Sequence, residues 1–125
     1  MRSSLQRREE APRQGYEGAP DAWIDIDPAY AEAGEDIHAG DSLILLTWFH
    51  EGDREVQKVH PRSIPGRPLT GVFSTRSPDR PNPIGLHRVT VLAVEGNRLH
   101  VAPLEAIDGT PVVDIKPVLA ESADA

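Results

Sequence analysis

Short apolar stretches, separated by turns rich in glycine and proline, alternate with polar segments along most of the chain. The alternation over Trp23–Asp27 and the apolar run Ser42–His50 predict two strands, of which the second is buried on both faces. Asp27 followed by Pro28 is typical of a helix start and predicts one short helix that ends near Glu35. The other predicted strands, in chain order, are Glu55–His60, Gly71–Thr75, Leu86–Val94, Leu99–Leu104 and Val112–Ile115.

Two pairs of these strands are close enough in sequence to form hairpins. The first pair is Ser42–His50 with Glu55–His60, and the second is Leu86–Val94 with Leu99–Leu104. The connections are too short for the helical crossovers that parallel strands require. We therefore predict an all-β fold, a small antiparallel β-barrel with one short helix.

The length of 125 residues fits one domain, which we expect to span residues 1–119. Residues 1–20 are polar and predict an irregular arm, and residues 120–125 predict a disordered tail. Because the sequence has no cysteine, disulfides, cysteine-based zinc sites and thiol nucleophiles are excluded. The sequence has neither an apolar run of about 18 residues nor the apolar stretch of a signal peptide, so we expect a soluble cytoplasmic protein.

Charge is distributed unevenly along the sequence. The net charge of −7 argues against a general nucleic-acid binder, since such proteins are usually basic. The segment from Arg54 to Arg88, however, contains seven bases and only two acids, and all the other acids lie outside it. Because local fields matter more than the total charge, this middle segment could bind an anion.

Residues 71–86 combine three prolines with Arg76, Arg80 and Asn82. Proline fixes the backbone, so such a loop loses little entropy on binding a ligand. Arginine offers a planar fork of donors that suits carboxylate or phosphate, and the Asn82 amide can pair with the edge of a heterocycle. The alternative is a stiff surface loop whose arginines are only solvated.

Two polar motifs lie nearer the C-terminus. Asp108–Pro111 predicts a tight turn. In the strand that follows, Asp114 and Lys116 share one face, which makes them candidates for a proton-handling pair. The alternative is a surface ion pair of little energetic value.

Several other kinds of site are not supported by the sequence. The five histidines have no ligand-like spacing, so no metal site is predicted. The sequence has neither a Gly-x-Gly-x-x-Gly nor a Gly-x-Ser-x-Gly motif. The residues by themselves therefore indicate a small β domain whose arginine loop binds a polar, partly anionic ligand.

Five segments closely resemble the signature sequences of the TsaA-like (TrmO) family, and the resemblance extends over nearly the whole chain. The proline- and arginine-rich segment is the most specific of them. The segments are Ala11–Gly15, Trp48–His50, Gly71–Pro78, Arg80–Leu86 and Asp108–Pro117.

The resemblance implies a small β-barrel, a homodimer and S-adenosyl-L-methionine (SAM) as cofactor, without a metal. The implied activity is N6-methylation of threonylcarbamoyladenosine beside the anticodon of tRNA. Since the chain begins at Met1-Arg2-Ser3-Ser4, we expect either that the first strand of the family is missing or that the start codon was chosen too late. Carried over by position, the SAM-binding residues are Pro12, Arg13, Gln14, His50, Glu51, Arg76, Leu86, Glu105, Ala106, Ile107 and Asp108.

Three further residues are candidates for catalysis. Asp114 would accept or relay the proton that the acceptor amine loses, Lys116 would orient Asp114 or hold a substrate anion, and Asn82 would pair with the acceptor base. Two other functions remain open: methylation of a small molecule, which the acidity of the chain favours, and SAM binding without turnover.

Overall fold

Six strands form one curled antiparallel sheet in the computed structural model, which describes residues 1–3, 20–61, 66 and 68–119. Their order across the sheet is β1-β2-β7-β6-β3-β8, and β4 and β5 form a separate two-stranded ribbon. The strands are β1 (Arg2–Ser3), β2 (Ala22–Asp25), β3 (Ser42–Trp48), β4 (Lys58–Val59), β5 (Thr70–Gly71), β6 (Ile84–Glu95), β7 (Arg98–Ala102) and β8 (Val112–Pro117).

The long strand β6 causes the sheet to curl. Its first half, Ile84–Thr90, pairs with β3, and its second half, Thr90–Glu95, pairs with β7. The register shifts between Val91 and Ala93, and an irregularity of this kind bends a strand and increases its twist. The result is a half-barrel, which confirms the predicted all-β antiparallel class.

The core lies on the concave face of this sheet. Every second side chain of β6 from Gly85 to Val91 is buried, which is the period of a strand with one face in the core. The core cluster comprises Ala22, Ile24, Leu43, Leu45, Val89, Val91, Leu99, Val101, Leu104 and Ala106.

The hairpin predicted between Leu86–Val94 and Leu99–Leu104 is confirmed as β6 and β7, but the hairpin predicted with Glu55–His60 is wrong. Only Lys58–Val59 of that segment is a strand, and it pairs with β5. The neighbours of β3 are β6 and β8. The chain leaves β3 because the turn that follows is hydrogen-bonded elsewhere: the Asp53 N–H donates to Asp79 Oδ1 at 2.9 Å.

The predicted strand Gly71–Thr75 is also wrong beyond its first residue. After β5 the chain forms a 3₁₀ helix over Val72–Ser74. The Val72 carbonyl accepts hydrogen bonds from both the N–H and the hydroxyl of Thr75, and these local bonds replace a sheet ladder.

The predicted helix start is confirmed, and the element is a 3₁₀ helix over Pro28–Gly34 with a kink at Tyr30. The Asp27 carboxylate accepts from the Ala29 N–H at 2.9 Å, as an N-cap residue should. At the N-terminus, where no first strand was expected, Arg2–Ser3 pairs with β2. The tail 120–125 and most of the predicted arm, residues 4–19, lie outside the described residues. No helix in the described part of the chain has the length and apolarity needed to cross a bilayer.

Candidate functional site

The proline-rich segment 75–83, here called the proline loop, is held together by its own polar groups. The Arg80 guanidinium donates to the carbonyls of Thr75 and Ser77 at 2.9 and 3.1 Å. The Ser77 N–H donates to the Thr75 hydroxyl, and the Asp79 N–H donates to the Ser77 hydroxyl. Arg80 therefore fixes the shape of the loop.

Arg76, the other arginine of the proline loop, is exposed. Among the described residues it has no hydrogen-bond or ion-pair partner. The two arginines that the sequence placed together thus differ: Arg80 is committed to the loop backbone, and the Arg76 guanidinium is available to an anionic ligand.

The turn that follows β3 packs directly against the proline loop. The Phe49 N–H donates to the Pro83 carbonyl at 2.7 Å, and Gly52 packs so closely that a Cβ on it would lie 2.4 Å from the Pro78 carbonyl oxygen. Between them are two predicted cofactor residues, His50 and Glu51, whose Nε2 and Oε2 atoms are 3.7 Å apart. The fold therefore places His50–Glu51 beside the proline loop.

Arg54 attaches this turn to Asn82, a role that the sequence analysis did not identify. Its guanidinium donates to the Pro81 carbonyl at 2.7 Å and to Asn82 Oδ1 at 3.1 Å, and it lies 5.3 Å from the centre of the Trp48 ring. Arg54 thus fixes the orientation of the candidate base-pairing amide. The available signal was its position at the start of the basic middle segment.

The segment Glu105–Asp108 lies in the connection between β7 and β8 and is tied to the N-terminus. Asp108 Oδ1 accepts from the Ser3 N–H at 2.9 Å, and the next N–H along the chain, of Gly109, donates to the Met1 carbonyl at 3.0 Å. Ala106 and Ile107 are buried. The short strand β1 therefore supports the segment.

The backbone of Glu105–Asp108 makes few hydrogen bonds to the other described residues. None of the hydrogen bonds between described residues uses the four N–H groups of this segment, and the Ile107 carbonyl is its one acceptor in those bonds. Buried backbone polar groups are nearly always paired, so a ligand edge is a fitting partner. The adenine edge of SAM offers both donors and acceptors, and the carboxylate of SAM suits Arg76. The residues present therefore fit this cofactor.

A buried polar chain connects β3, β6 and this segment. The Thr47 hydroxyl oxygen lies 2.7 Å from His87 Nε2, and His87 Nδ1 lies 3.0 Å from Glu105 Oε1. Thr47 and His87 are both almost fully buried. The sequence analysis missed this chain, although both residues are polar groups at core-facing positions of predicted strands.

The side chains of Leu86 and Glu105 lie on opposite faces of the sheet. Glu105 reaches His87 on the concave face, and neighbouring residues of a strand point to opposite sides, so the Leu86 side chain lies on the convex face, where it is partly exposed. The backbone of Leu86 is near Glu105, because the neighbouring residue His87 contacts Glu105. The side chains of Leu86 and Glu105 nevertheless lie on different surfaces.

Asp114 and Lys116 share the convex face with Leu86. Leu46 pairs with Leu86 on one side and with Asp114 on the other, which places the latter two about 10 Å apart, twice the strand spacing. Lys116 Nζ lies 2.9 Å from Asp114 Oδ2. The hydrogen bond from Lys116, together with one from the Ile115 N–H, lowers the pKa of Asp114 below its usual value.

The remaining predicted residues divide into two groups. Pro12, Arg13 and Gln14 lie outside the described residues. Asn82 is held in the proline loop, two residues before the start of β6. In the described part of the chain, no group of three histidine, aspartate or glutamate side chains is arranged to hold a metal ion.

Comparisons with known proteins identify relatives of the chain. A family model described as the tRNA-methyltransferase O N-terminal domain matches residues 1–125. A probable S-adenosyl-L-methionine-binding protein of Pyrococcus horikoshii is 48% identical over 98 residues, which are 75% of this chain and 70% of that protein. A mouse tRNA (adenine(37)-N6)-methyltransferase is 52% identical over 64 residues, 51% of this chain and 15% of that protein.

The solved structures lead to the same family. A crystal structure of TrmO from P. aeruginosa superposes with a TM-score of 0.74 at 34% identity, covering 99% of this chain and 53% of that one. This chain thus spans about half the length of that solved protein. By the extent of the family match, by its identity to curated relatives and by its fold, the chain belongs to the tRNA-methyltransferase O (TrmO) N-terminal domain family.

Proposed function

We propose that this SAM-dependent methyltransferase domain methylates N6 of an adenine in tRNA, and specifically of threonylcarbamoyladenosine beside the anticodon. The observation that carries the proposal is that the His50–Glu51 turn packs against the proline loop, which bears the exposed Arg76, and is linked to Glu105 through Phe49 and His87. The mouse relative is named for adenine 37 of tRNA, which supports this choice of acceptor.

The cofactor-binding roles are assigned by chemistry. Arg76 binds the carboxylate of SAM, the 105–108 backbone binds the adenine edge, and His50, Glu51 and Leu86 border the rest of the molecule. Pro12, Arg13 and Gln14 are further cofactor contacts by the family resemblance alone. SAM supplies an activated methyl group, and the protein contributes chiefly by holding the acceptor nitrogen in line with it. The products are the demethylated cofactor, the N6-methylated base and one proton.

The acceptor is handled by residues of the proline loop and of β8. Asn82, held by Arg54, pairs with the acceptor base. Asp114, kept ionised by Lys116, accepts the proton that the amine loses, directly or through water. Because Asp114 lies about two strand spacings from Leu86, it can reach the acceptor without contacting the cofactor.

The partner and the location complete the proposal. The convex face leaves Ile84 and Leu86 exposed, and an apolar surface of this kind is suited to pairing with a second copy of the chain. We propose a homodimer whose interface includes these residues, acting in the cytoplasm on tRNA.

Purified protein should be incubated with SAM labelled in the methyl group and with tRNA that carries threonylcarbamoyladenosine. The expected result is label in that nucleoside after digestion and mass spectrometry, and none when the same tRNA lacks the modification. Label in unmodified adenosine would contradict the specific acceptor. Label only in a metabolite extract would indicate a small-molecule methyltransferase, and SAM binding without any labelled product would indicate a binding module.

A further inference from the structure

The buried residue His87 contacts one of the segments proposed to bind SAM, packs against the residue that precedes a second, and directly follows a third. Its Nδ1 atom meets Glu105 at 3.0 Å, and its ring meets the edge of Phe49, whose backbone leads into His50–Glu51, with 5.7 Å between ring centres. Leu86 precedes it in the sequence. Its side chain is 1% exposed, so it cannot itself contact a bound ligand.

The directions of the hydrogen bonds among Thr47, His87 and Glu105 follow from the donors available. An ionised carboxylate only accepts, so the proton shared with Glu105 is carried by His87 Nδ1. In the neutral imidazole Nε2 is then an acceptor, and the Thr47 hydroxyl donates to it. The same order of hydroxyl, imidazole and carboxylate is found in hydrolases, but the Thr47 hydroxyl is fully buried and no substrate can reach it.

Phe49 and Thr47, which both contact His87, pack into the space beside Gly85. A Cβ on Gly85 would lie 2.3 Å from the Phe49 ring and 2.6 Å from the Thr47 hydroxyl, so both groups occupy the space that this glycine leaves open. The two hydrogen bonds and the Phe49 contact together determine where the imidazole lies. The Glu105 side chain is 21% exposed, so the carboxylate that His87 holds extends to the surface.

We propose that His87 is a positioning residue for cofactor binding: with Thr47 it fixes the Glu105 carboxylate, and through it the 105–108 backbone, in the arrangement that receives SAM. This inference rests on the proposed function only for the identity of the ligand. Among the described residues, the Thr47 side chain is hydrogen-bonded to His87 and to no proposed cofactor residue, so a substitution there tests the Thr47–His87–Glu105 chain indirectly.

The matched pair Thr47→Val and Thr47→Ser is the test. Valine keeps the shape and removes the hydroxyl, and serine restores it. Calorimetric titration with SAM should show about ten-fold weaker binding for Thr47→Val, the effect expected when a buried partner is left unsatisfied, and near wild-type binding for Thr47→Ser. Val91→Ala, which leaves a cavity in β6 four residues beyond His87 where that strand pairs with β7, controls for lost stability and should bind SAM as the wild type does.

A second measurement needs no ligand. In the protein without SAM, heteronuclear NMR relaxation should report more motion at Glu105–Asp108 in Thr47→Val than in the wild type, and no change in Val91→Ala. Equal SAM affinity of Thr47→Val and wild type, or equal relaxation at 105–108, would overturn the proposal. If the wild type itself failed to bind SAM, the cofactor assignment would be wrong. The relaxation data would still decide whether the hydrogen bonds of Thr47, His87 and Glu105 position the 105–108 segment.

Discussion

Arg54 donates a 3.1 Å hydrogen bond to the side-chain oxygen of Asn82, although the two lie 28 positions apart in sequence. The same guanidinium also binds the Pro81 carbonyl and covers Trp48. The Arg54 guanidinium therefore joins the turn after β3 to the proline loop, and the orientation of the candidate base-pairing amide depends on this guanidinium.

Arg54→Ala should reduce methyl transfer several-fold while SAM affinity changes little, because it releases Asn82 without removing a proposed cofactor contact. An exposed contact of this kind is worth about 1 kcal/mol. Initial rates against tRNA concentration and calorimetry with SAM measure the two effects. Lys58→Ala removes an equal charge from β4 and should leave both unchanged; a matching loss there would reduce the effect to net charge.

Arg76→Ala should weaken SAM binding about ten-fold or more, since a charge-assisted contact contributes roughly 1.5–3 kcal/mol. Arg98→Ala is the control, because Arg98, in the β6–β7 hairpin, is already paired with Asp25 at 2.8 Å and stacked on Trp23. Calorimetry with SAM in the presence of a chelator compares the two and also checks that no metal is needed. Equal affinities would make Arg76 an ordinary solvated residue.

Gly85→Ala should lower the free energy of unfolding by about 1–3 kcal/mol or more, because the new methyl group would overlap the Phe49 ring and the Thr47 hydroxyl. Thermal unfolding followed by circular dichroism measures the loss. Gly71→Ala is the matched control: its Cβ would meet nothing within 4 Å, and its φ of −57° suits alanine. Gly85→Ala as stable as the wild type would mean that Phe49 can move aside at no cost.

The pKa of Asp114 should rise towards its usual value of about 3.9 in Lys116→Met, because the hydrogen bond from Lys116 is the main cause that lowers it. Since the folded pKa is depressed, the pair favours the folded state above about pH 4, and this contribution is lost as pH falls through the folded pKa. Carbon-detected NMR titration of the Asp114 carboxyl measures the shift. Lys58→Met should leave that titration unchanged, and an unchanged titration in Lys116→Met would exclude the pairing.

Light scattering at micromolar concentration should give the mass of two chains. Ile84→Asp should produce monomers, because it places a charge in the apolar part of the convex face near the candidate site. Leu92→Asp is the control: Leu92 is similarly exposed on the same strand, eight residues or about 27 Å further along, and should leave the dimer intact. A wild type with the mass of one chain would rule out the dimer.

The strands that the sequence predicted well are those whose apolar pattern is set by burial in the core. Ser42–Trp48 is a continuous apolar run and is covered on both faces, and β6 alternates along the part that faces the core. Glu55–His60 also alternates, but its partner was decided by hydrogen bonds from the preceding turn to the proline loop, which a local pattern does not contain.

The candidate site shows the same limit. The resemblance identified individual positions such as Arg76 and Leu86. It did not show that Arg76 is exposed on the proline loop or that Leu86 lies on the convex face of the sheet. The Thr47–His87–Glu105 chain joins residues 40 and 18 positions apart. Periodicity marks such residues as polar at buried positions, and only the pairing of β3 with β6 shows that they meet.

Thr90 pairs with Ser42 of β3 and with Ala102 of β7, at the point where the two halves of the sheet join. In the described sheet, β3 and β8 are attached on one side of β6, and β7, β2 and β1 on the other. Opening β6 would strip the hydrogen-bonded neighbour from both halves at once, so this strand opens only together with the whole sheet. Since Leu86 and His87 belong to this strand, opening it would also dismantle the candidate site, and amide protection there should vanish together with that of the whole sheet.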